Sequence, residues 1–234
     1  SGGAMKDRPI VGITMGDPAG VGSEVVVKAF EAASEHARVV VIGDAEVMRA
    51  AVRTCGSDRE IAAVDSVAAG LAAGDAIPVL DLDNVDDLEY GVVREAYGRA
   101  SLEYVERAID LAIEGTIDAI ATAPINKQAT RLAGAEHAGH TGLLADRTGT
   151  EDYSMMLVEE PLRVTHVSTH VPLREACDLV TTGSVGATIR VTDDALRDLG
   201  IEDPTIAVAG LNPHASDGGL LGEEDDAEIR PAVE

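Results

Sequence analysis

The sequence predicts an α/β protein built on a largely parallel sheet with helices on both faces. Two patterns point there. Short, β-branched apolar runs alternate with helix-length amphipathic stretches, which is the signature of βαβ units. Those runs are bounded by Gly, Pro or Asp, and the chemically distinctive residues gather where they end, the place where such sheets bind ligands.

In chain order the expected strands are PIVGITM (9 to 15), RVVVIG (38 to 43), IPVLD (77 to 81), IDAIATA (117 to 123), RVTHVSTH (163 to 170) and PTIAVAG (204 to 210). Between them lie helical patterns: GSEVVVKAFEAAS, DAEVMRAAVRTCG, EAYGRASLEYVERAIDLAIEG and TDDALRDLG. Near 123 to 140 polar and small residues interrupt the apolar rhythm, and a domain hinge is expected there. GEEDDAEIRPAVE opens a further helix with acids in its first turn. That helix has no capping Gly before the sequence stops, so the chain reads as cut or continuing. The opening SGGA ahead of Met5 reads as an expression leader.

With 234 residues, 45% of them hydrophobic, the chain can bury a substantial core. No apolar run approaches the roughly 20 residues needed to cross a bilayer, and the reading is a soluble, cytoplasmic protein. Acidic residues number 42 against 18 basic ones, a formal net charge of -24. A field of that sign repels phosphate backbones and anionic lipid, which disfavours nucleic-acid and membrane-surface partners. The same composition suits a salt-rich cytoplasm, where self-repulsion is screened; an ordinary acidic cytosolic enzyme accounts for it as well. Cys55 and Cys177 lie far apart without CxxC spacing and read as reduced thiols.

Several strand ends carry candidate chemistry. GDPAGVG (16 to 22) is either a plain strand-to-helix turn or a loop that sets backbone N–H groups against an anion; it fits neither the dinucleotide fingerprint nor the P-loop. Lys127, one of three lysines with Lys6 and Lys28, either is solvated or holds an anion or relays a proton. In AGHTG (138 to 142), His140 and Thr141 can both donate hydrogen bonds to an oxyanion; His137 reads as surface. His166 and His170 lie four apart in an expected strand, about 13 Å from each other at strand rise, too far to share one ion. His170 and His214 would then occupy equivalent strand ends, each beside a proline. Two imidazoles converging there suit a divalent metal, although catalytic sites usually use three protein ligands. On spacing alone, a shared metal stands beside two unrelated histidines.

The blocks TMGDPAGVGSEVVVKA, ATAPINKQA, AGHTGLLAD, STHVPLREACD and GLNPHASDGGLLGEED together resemble the 4-hydroxythreonine-4-phosphate dehydrogenase family of pyridoxal phosphate biosynthesis, with its paralogues acting on sugar-acid phosphates. They run in family order from residue 9 onward. The resemblance implies two α/β/α domains similar to the isocitrate and isopropylmalate dehydrogenases, spanning 5 to 130 and 131 to 234, the second incomplete. It implies a homodimer with an active site in the cleft at its interface, NAD as cofactor, and a divalent cation such as Zn, Mg or Co. His170 and His214 would ligate the metal, His140 and Thr141 would bind substrate, and Lys127 would hold the substrate anion or relay a proton.

The implied reaction is metal- and NAD-dependent oxidation and decarboxylation of 4-phosphohydroxy-L-threonine to 3-amino-2-oxopropyl phosphate. The alternative substrates are D-threonate or D-erythronate 4-phosphate, giving dihydroxyacetone phosphate. Family chains continue past RPAVE with a third metal histidine, further substrate residues and the segment that would complete the first domain. A chain ending at Glu234 is therefore expected to be inactive and poorly stable; the contrasting reading is an inactive metal-binding fragment.

Overall fold

The computed structural model describes residues 8–137 and 139–234. The SGGA leader, Met5 as a domain start, Lys6 and Ala138 of the AGHTG block lie outside the described residues. The chain divides into two compact units, one running to Thr148 and one spanning Gly149–Glu234. The polar stretch expected to hold the hinge thus stays within the first unit.

The first unit runs β1 (Ile10–Thr14), α1 (Gly22–His36), β2 (Arg38–Gly43), α2 (Ala45–Cys55), β3 (Ile61–Val64), α3 (Val67–Leu71), β4 (Ile77–Asp81), α4 (Glu95–Ile113), β5 (Ala119–Thr122), α5 (Lys127–Leu132) and α6 (His140–Thr148). Its five strands form one sheet in the order β3-β4-β2-β1-β5, every neighbouring pair parallel. β2 is central, and Val39, Val40, Val41 and Ile42 are all buried, because helices cover both faces of such a strand. Each contributes about 1.5–3 kcal/mol on leaving water. The helices supply the matching stripes. Val26, Val27 and Phe30 of α1 and Ala100, Tyr104, Ala108 and Leu111 of α4 enter the same core at helical spacing.

Local signals fix the ends. Asp44 caps α2 by accepting the Val47 N–H at 3.0 Å, and Gly56 ends that helix in the left-handed region. The other Asp44 oxygen accepts the N–H groups of Asn84 and Val85 at 3.2 and 3.1 Å. Tyr104 donates its hydroxyl to Asn84 Oδ1 at 2.7 Å. This ties down the segment between β4 and α4, which also donates Gly91 N–H to the Ala19 carbonyl at 2.9 Å. The Arg94 guanidinium lies over the Tyr97 ring and pairs with Asp87 and Glu89.

The second unit comprises the strands β6 (Met156–Glu159) and β7 (Leu162–Thr165), the helices α7 (Leu173–Asp178) and α8 (Thr182–Asp198), a 3-10 turn (Ala215–Asp217), a π-helical segment (Asp225–Ile229) and α9 (Arg230–Val233). Three expectations change here. β6 and β7 form an antiparallel hairpin, so the parallel arrangement holds for the first unit alone. The strand expected over 163 to 170 stops at Thr165, and His170 has a left-handed φ of 59°, which breaks an extended run. Residues 204 to 210 carry no ladder among the described residues; an alternating apolar pattern specifies a face but does not supply an edge to pair with. His170 and His214 therefore sit in loops and not at equivalent strand ends.

α8 begins ten residues ahead of the helical pattern read at Thr192, on a capping box between Thr181 and Ser184. Glu228 of the π-helical segment accepts the Thr182 N–H at 2.6 Å and its hydroxyl at 2.9 Å. Those bonds hold its carboxyl below the ordinary value. No helix among the described residues is long and apolar enough to cross a membrane.

Candidate functional site

In the first unit the chain steps from β1 to β2 on one side of the sheet and later returns through α4 to β5 on the other. The strand order thus reverses between β1 and β5, where open α/β sheets form a crevice beyond the strand ends. Two of the motifs meet there. Asp17 N–H donates to the Pro124 carbonyl at 2.9 Å, and Ala123 N–H to the Thr14 carbonyl at 3.0 Å. GDPAGVG and TAPINK, more than a hundred residues apart in the chain, are therefore one structural corner.

Asp17 is buried and accepts the Ala19 N–H at 3.1 Å. Burial pushes its carboxyl above the ordinary value, and that hydrogen bond offsets part of the rise. Thr14 Oγ1 and Ser23 Oγ are buried without a hydrogen-bond partner. On the β5 side, Asn126 caps α5 by accepting the N–H groups of Gln128 and Ala129, each at 3.0 Å. Lys127 is the first residue of that helix and is exposed, so its ammonium is open to an incoming anion.

A cavity of about 430 Å³ opens between α4, α5 and α6. Its lining includes Arg99, Glu103, Thr130, His137, His140 and Arg147, but neither Lys127 nor Thr141. The guanidiniums are matched by carboxylates: Arg99 pairs with Glu95 at 2.5 Å and Arg147 with Asp110 at 2.5 Å. His140 is different. Its Nε2 is buried and has no partner, and desolvation lowers the imidazole below its ordinary value, which favours a neutral ring. Thr141 follows it in the first turn of α6, exposed. His137, expected at the surface, is half-buried and stands 3.8 Å from Asp146.

In the second unit His166 is held by Ser154, whose Oγ donates to the His166 carbonyl at 2.9 Å and accepts its N–H at 3.3 Å. His170 and His214 are both exposed. The His214 N–H donates to Asn212 Oδ1 at 3.0 Å, and the next three residues, Ala215, Ser216 and Asp217, all have left-handed φ values of 45°, 63° and 46°. Such backbone persists only where its surroundings hold it, and it gathers at functional sites.

Neutral imidazoles are good donors to divalent Zn, Co or Ni and acceptable ones to other first-row ions. The donor chemistry of His170 and His214 therefore fits a cation. Among the described residues no group of three His, Cys, Asp or Glu side chains is placed to hold one. The sequence reading overlooked Asp225, whose Oδ2 is buried and unpartnered and whose Oδ1 lies against Gly210. An acid in the first turn of an expected helix looked like ordinary dipole compensation.

Residues 35–234 match the family model described as "Pyridoxal phosphate biosynthetic protein PdxA". The chain is 41% identical over 234 residues to a Clostridium botulinum (strain Hall) protein named "Putative D-threonate 4-phosphate dehydrogenase", covering 98% of this chain and 70% of that relative. Two crystal structures are also similar. A 4-hydroxythreonine-4-phosphate dehydrogenase from Burkholderia phymatum matches with a TM-score of 0.86 at 41% identity. The Klebsiella pneumoniae enzyme of the same name matches with a TM-score of 0.87 at 40% identity. Each alignment covers 97% of this chain and 70% of the other.

Proposed function

This chain belongs to the PdxA family, and from that premise we propose that it is an NAD-dependent dehydrogenase that oxidises and decarboxylates a phosphorylated four-carbon hydroxy acid. D-Threonate 4-phosphate is the first substrate, because the relatives at 40–41% identity carry that activity in their name. 4-Phosphohydroxy-L-threonine is the second reading, favoured by the names of the similar solved structures. The proposal includes a two-domain fold of the isocitrate and isopropylmalate dehydrogenase kind, a homodimer and a cytoplasmic location.

The observation that carries the reading is the state of His140. A half-buried imidazole, kept neutral by desolvation and with its Nε2 unpartnered, lines a cavity at the start of a helix. In that condition it can hydrogen-bond a substrate hydroxyl or carboxylate without competing for protons in bulk water. Thr141, exposed on the same helical turn but outside the cavity lining, is the second substrate-binding group of the proposal. Fixing substrate by such groups is worth several kcal/mol of the barrier. The exposed Lys127 ammonium is suited to take the substrate anion or pass a proton.

Held by His170 and His214, a divalent cation would supply Lewis acidity at the substrate hydroxyl, and NAD would accept the hydride. Loss of hydride and of the hydroxyl proton leaves a β-keto acid. That acid releases CO2 and takes up a proton at carbon, giving dihydroxyacetone phosphate from threonate 4-phosphate.

The test is NADH formation by the full-length protein from each phosphate with added Zn, Mg or Co, with the product identified by mass. Turnover of D-threonate 4-phosphate to dihydroxyacetone phosphate is expected. Exclusive turnover of 4-phosphohydroxy-L-threonine would move the assignment to the second substrate, and no NADH from either would remove the dehydrogenase reading. Replacing His140 with Ala should raise KM and lower kcat together.

A further inference from the structure

The segment Gly210–Gly219 that carries His214 is held in a costly backbone shape, with Ala215, Ser216 and Asp217 all left-handed. L-residues other than Asn and Asp rarely take that conformation, and three in succession need an external hold. Asn212 supplies part of it, accepting the His214 N–H at 3.0 Å and donating its amide N–H to the Leu221 carbonyl at 3.2 Å, and a second side chain stands against the same turn. A Cβ built on Gly210 would stand 2.7 Å from Asp225 Oδ1 and 3.0 Å from the Cα and Cβ of Ala215. Gly210, the Asp225 carboxylate and the residue after His214 thus converge on one point, and only glycine admits the contact.

Asp225 is itself anchored. It opens the π-helical segment Asp225–Ile229, in which Glu228 bonds the first turn of α8 through Thr182 and Ile229 is buried. π-Helical turns are rare and frequent at functional sites. Here the turn joins two duties, with Glu228 tied to α8 and Asp225 set against the His214 loop. Asp225 Oδ2, meanwhile, is buried and unpartnered. A buried carboxylate oxygen is costly to leave without a donor or a cation nearby.

We propose that Asp225 is a positioning residue for His214: its carboxylate seats the Gly210–Ala215 turn so that the imidazole is presented to a divalent cation, and its negative charge strengthens that binding. This rests on the reading of His214 as a metal ligand. The Asp225 contact is with the backbone turn beside His214 and not with its ring, and outer groups that hold a ligating histidine in place commonly tune metal affinity.

Co2+ alone is the probe, titrated into the unaltered chain and into Asp225→Asn, Gly210→Ala and His214→Ala variants. Visible absorption reports coordination, and calorimetry reports affinity. In Asp225→Asn the dissociation constant should rise about 10–100-fold and the absorption bands should shift, with far-UV circular dichroism unchanged. Equal affinity and an identical spectrum would overturn the inference. Should Asp225→Asn fail to fold, Gly210→Ala displaces the same turn without altering charge, and the same weakening is expected; unchanged Co2+ binding in it would also overturn the proposal. Failure of the underlying reading looks different: His214→Ala would bind Co2+ as well as the unaltered chain, or the unaltered chain would give no Co2+ spectrum, and either result removes both.

Discussion

Gly98 of α4 lies flat against Ala129 of α5, so close that a methyl group on residue 98 would stand 2.0 Å from the Ala129 carbonyl oxygen. The obstacle is backbone and cannot swing aside. Gly98→Ala should therefore destabilise the first unit by about 2–3 kcal/mol, in the range of overpacked cores. Because α5 begins with Lys127, the displacement should also move that ammonium. Chemical denaturation checks the first effect; a rise in KM for the phosphorylated substrate checks the second. Unchanged denaturation would mean that α4 and α5 separate more readily than this contact allows.

Asp44 makes three hydrogen bonds from a buried position, one capping α2 and two holding the segment after β4. Asp44→Ala removes a helix cap and strands two amide donors together. A loss on the order of 3 kcal/mol follows, with faster amide exchange at Asn84 and Val85 as the local signature.

His140 gives a pH dependence whose sign is fixed. Its folded-state pKa lies below the ordinary value because burial disfavours the imidazolium. The unfolded chain therefore takes up a proton first as pH falls. Stability from this group is present above about pH 6.5, the unfolded value, and is lost as pH drops toward the lower folded value. Denaturation midpoints measured between about pH 8 and pH 5 should fall across that window, and His140→Gln should flatten the fall.

The charge imbalance of 42 acidic against 18 basic residues predicts a thermal midpoint that rises from dilute buffer to about 1 M KCl, where the screening length shrinks to about 3 Å. Full stability at low salt would show that the acidic surface is spaced widely enough not to repel itself.

The first unit was largely legible in the sequence. β1, β2, β4 and β5 are β-branched runs flanked by turn residues, and each formed within a residue or two of the expected span. β3 is Ile-Ala-Ala-Val, too short and alanine-rich to signal itself, and α5 and α7 are six-residue helices below the reach of a 3.6-residue period. The second unit was read less well because strand pattern encodes a face and not a partner: 163 to 170 alternates beyond Thr165, where the ladder ends, and 204 to 210 alternates without a ladder. Lys127, His140 and Thr141 were visible as residue types in unusual company. That His140 lines a cavity which Lys127 and Thr141 do not reach was not visible, nor was the meeting of Asp17 with Pro124, which depends on strand order. Asp225 became visible only through the space left by Gly210.

β1 has a further consequence for how the first unit comes into being. It leaves the ribosome ahead of β2, β3 and β4, yet its outer edge is closed by β5, and the Ile10 N–H finds the Asp118 carboxylate 108 residues later, at 2.7 Å. During synthesis that edge waits while β2, β3 and β4 assemble on the opposite side. Pairing across such a separation is slow, and an open strand edge invites association with other chains until it is covered. The emergence of α4 and β5 is therefore the event that commits the nascent unit to its own fold, and a pause in translation just before residue 119 would lengthen its exposure to misassembly.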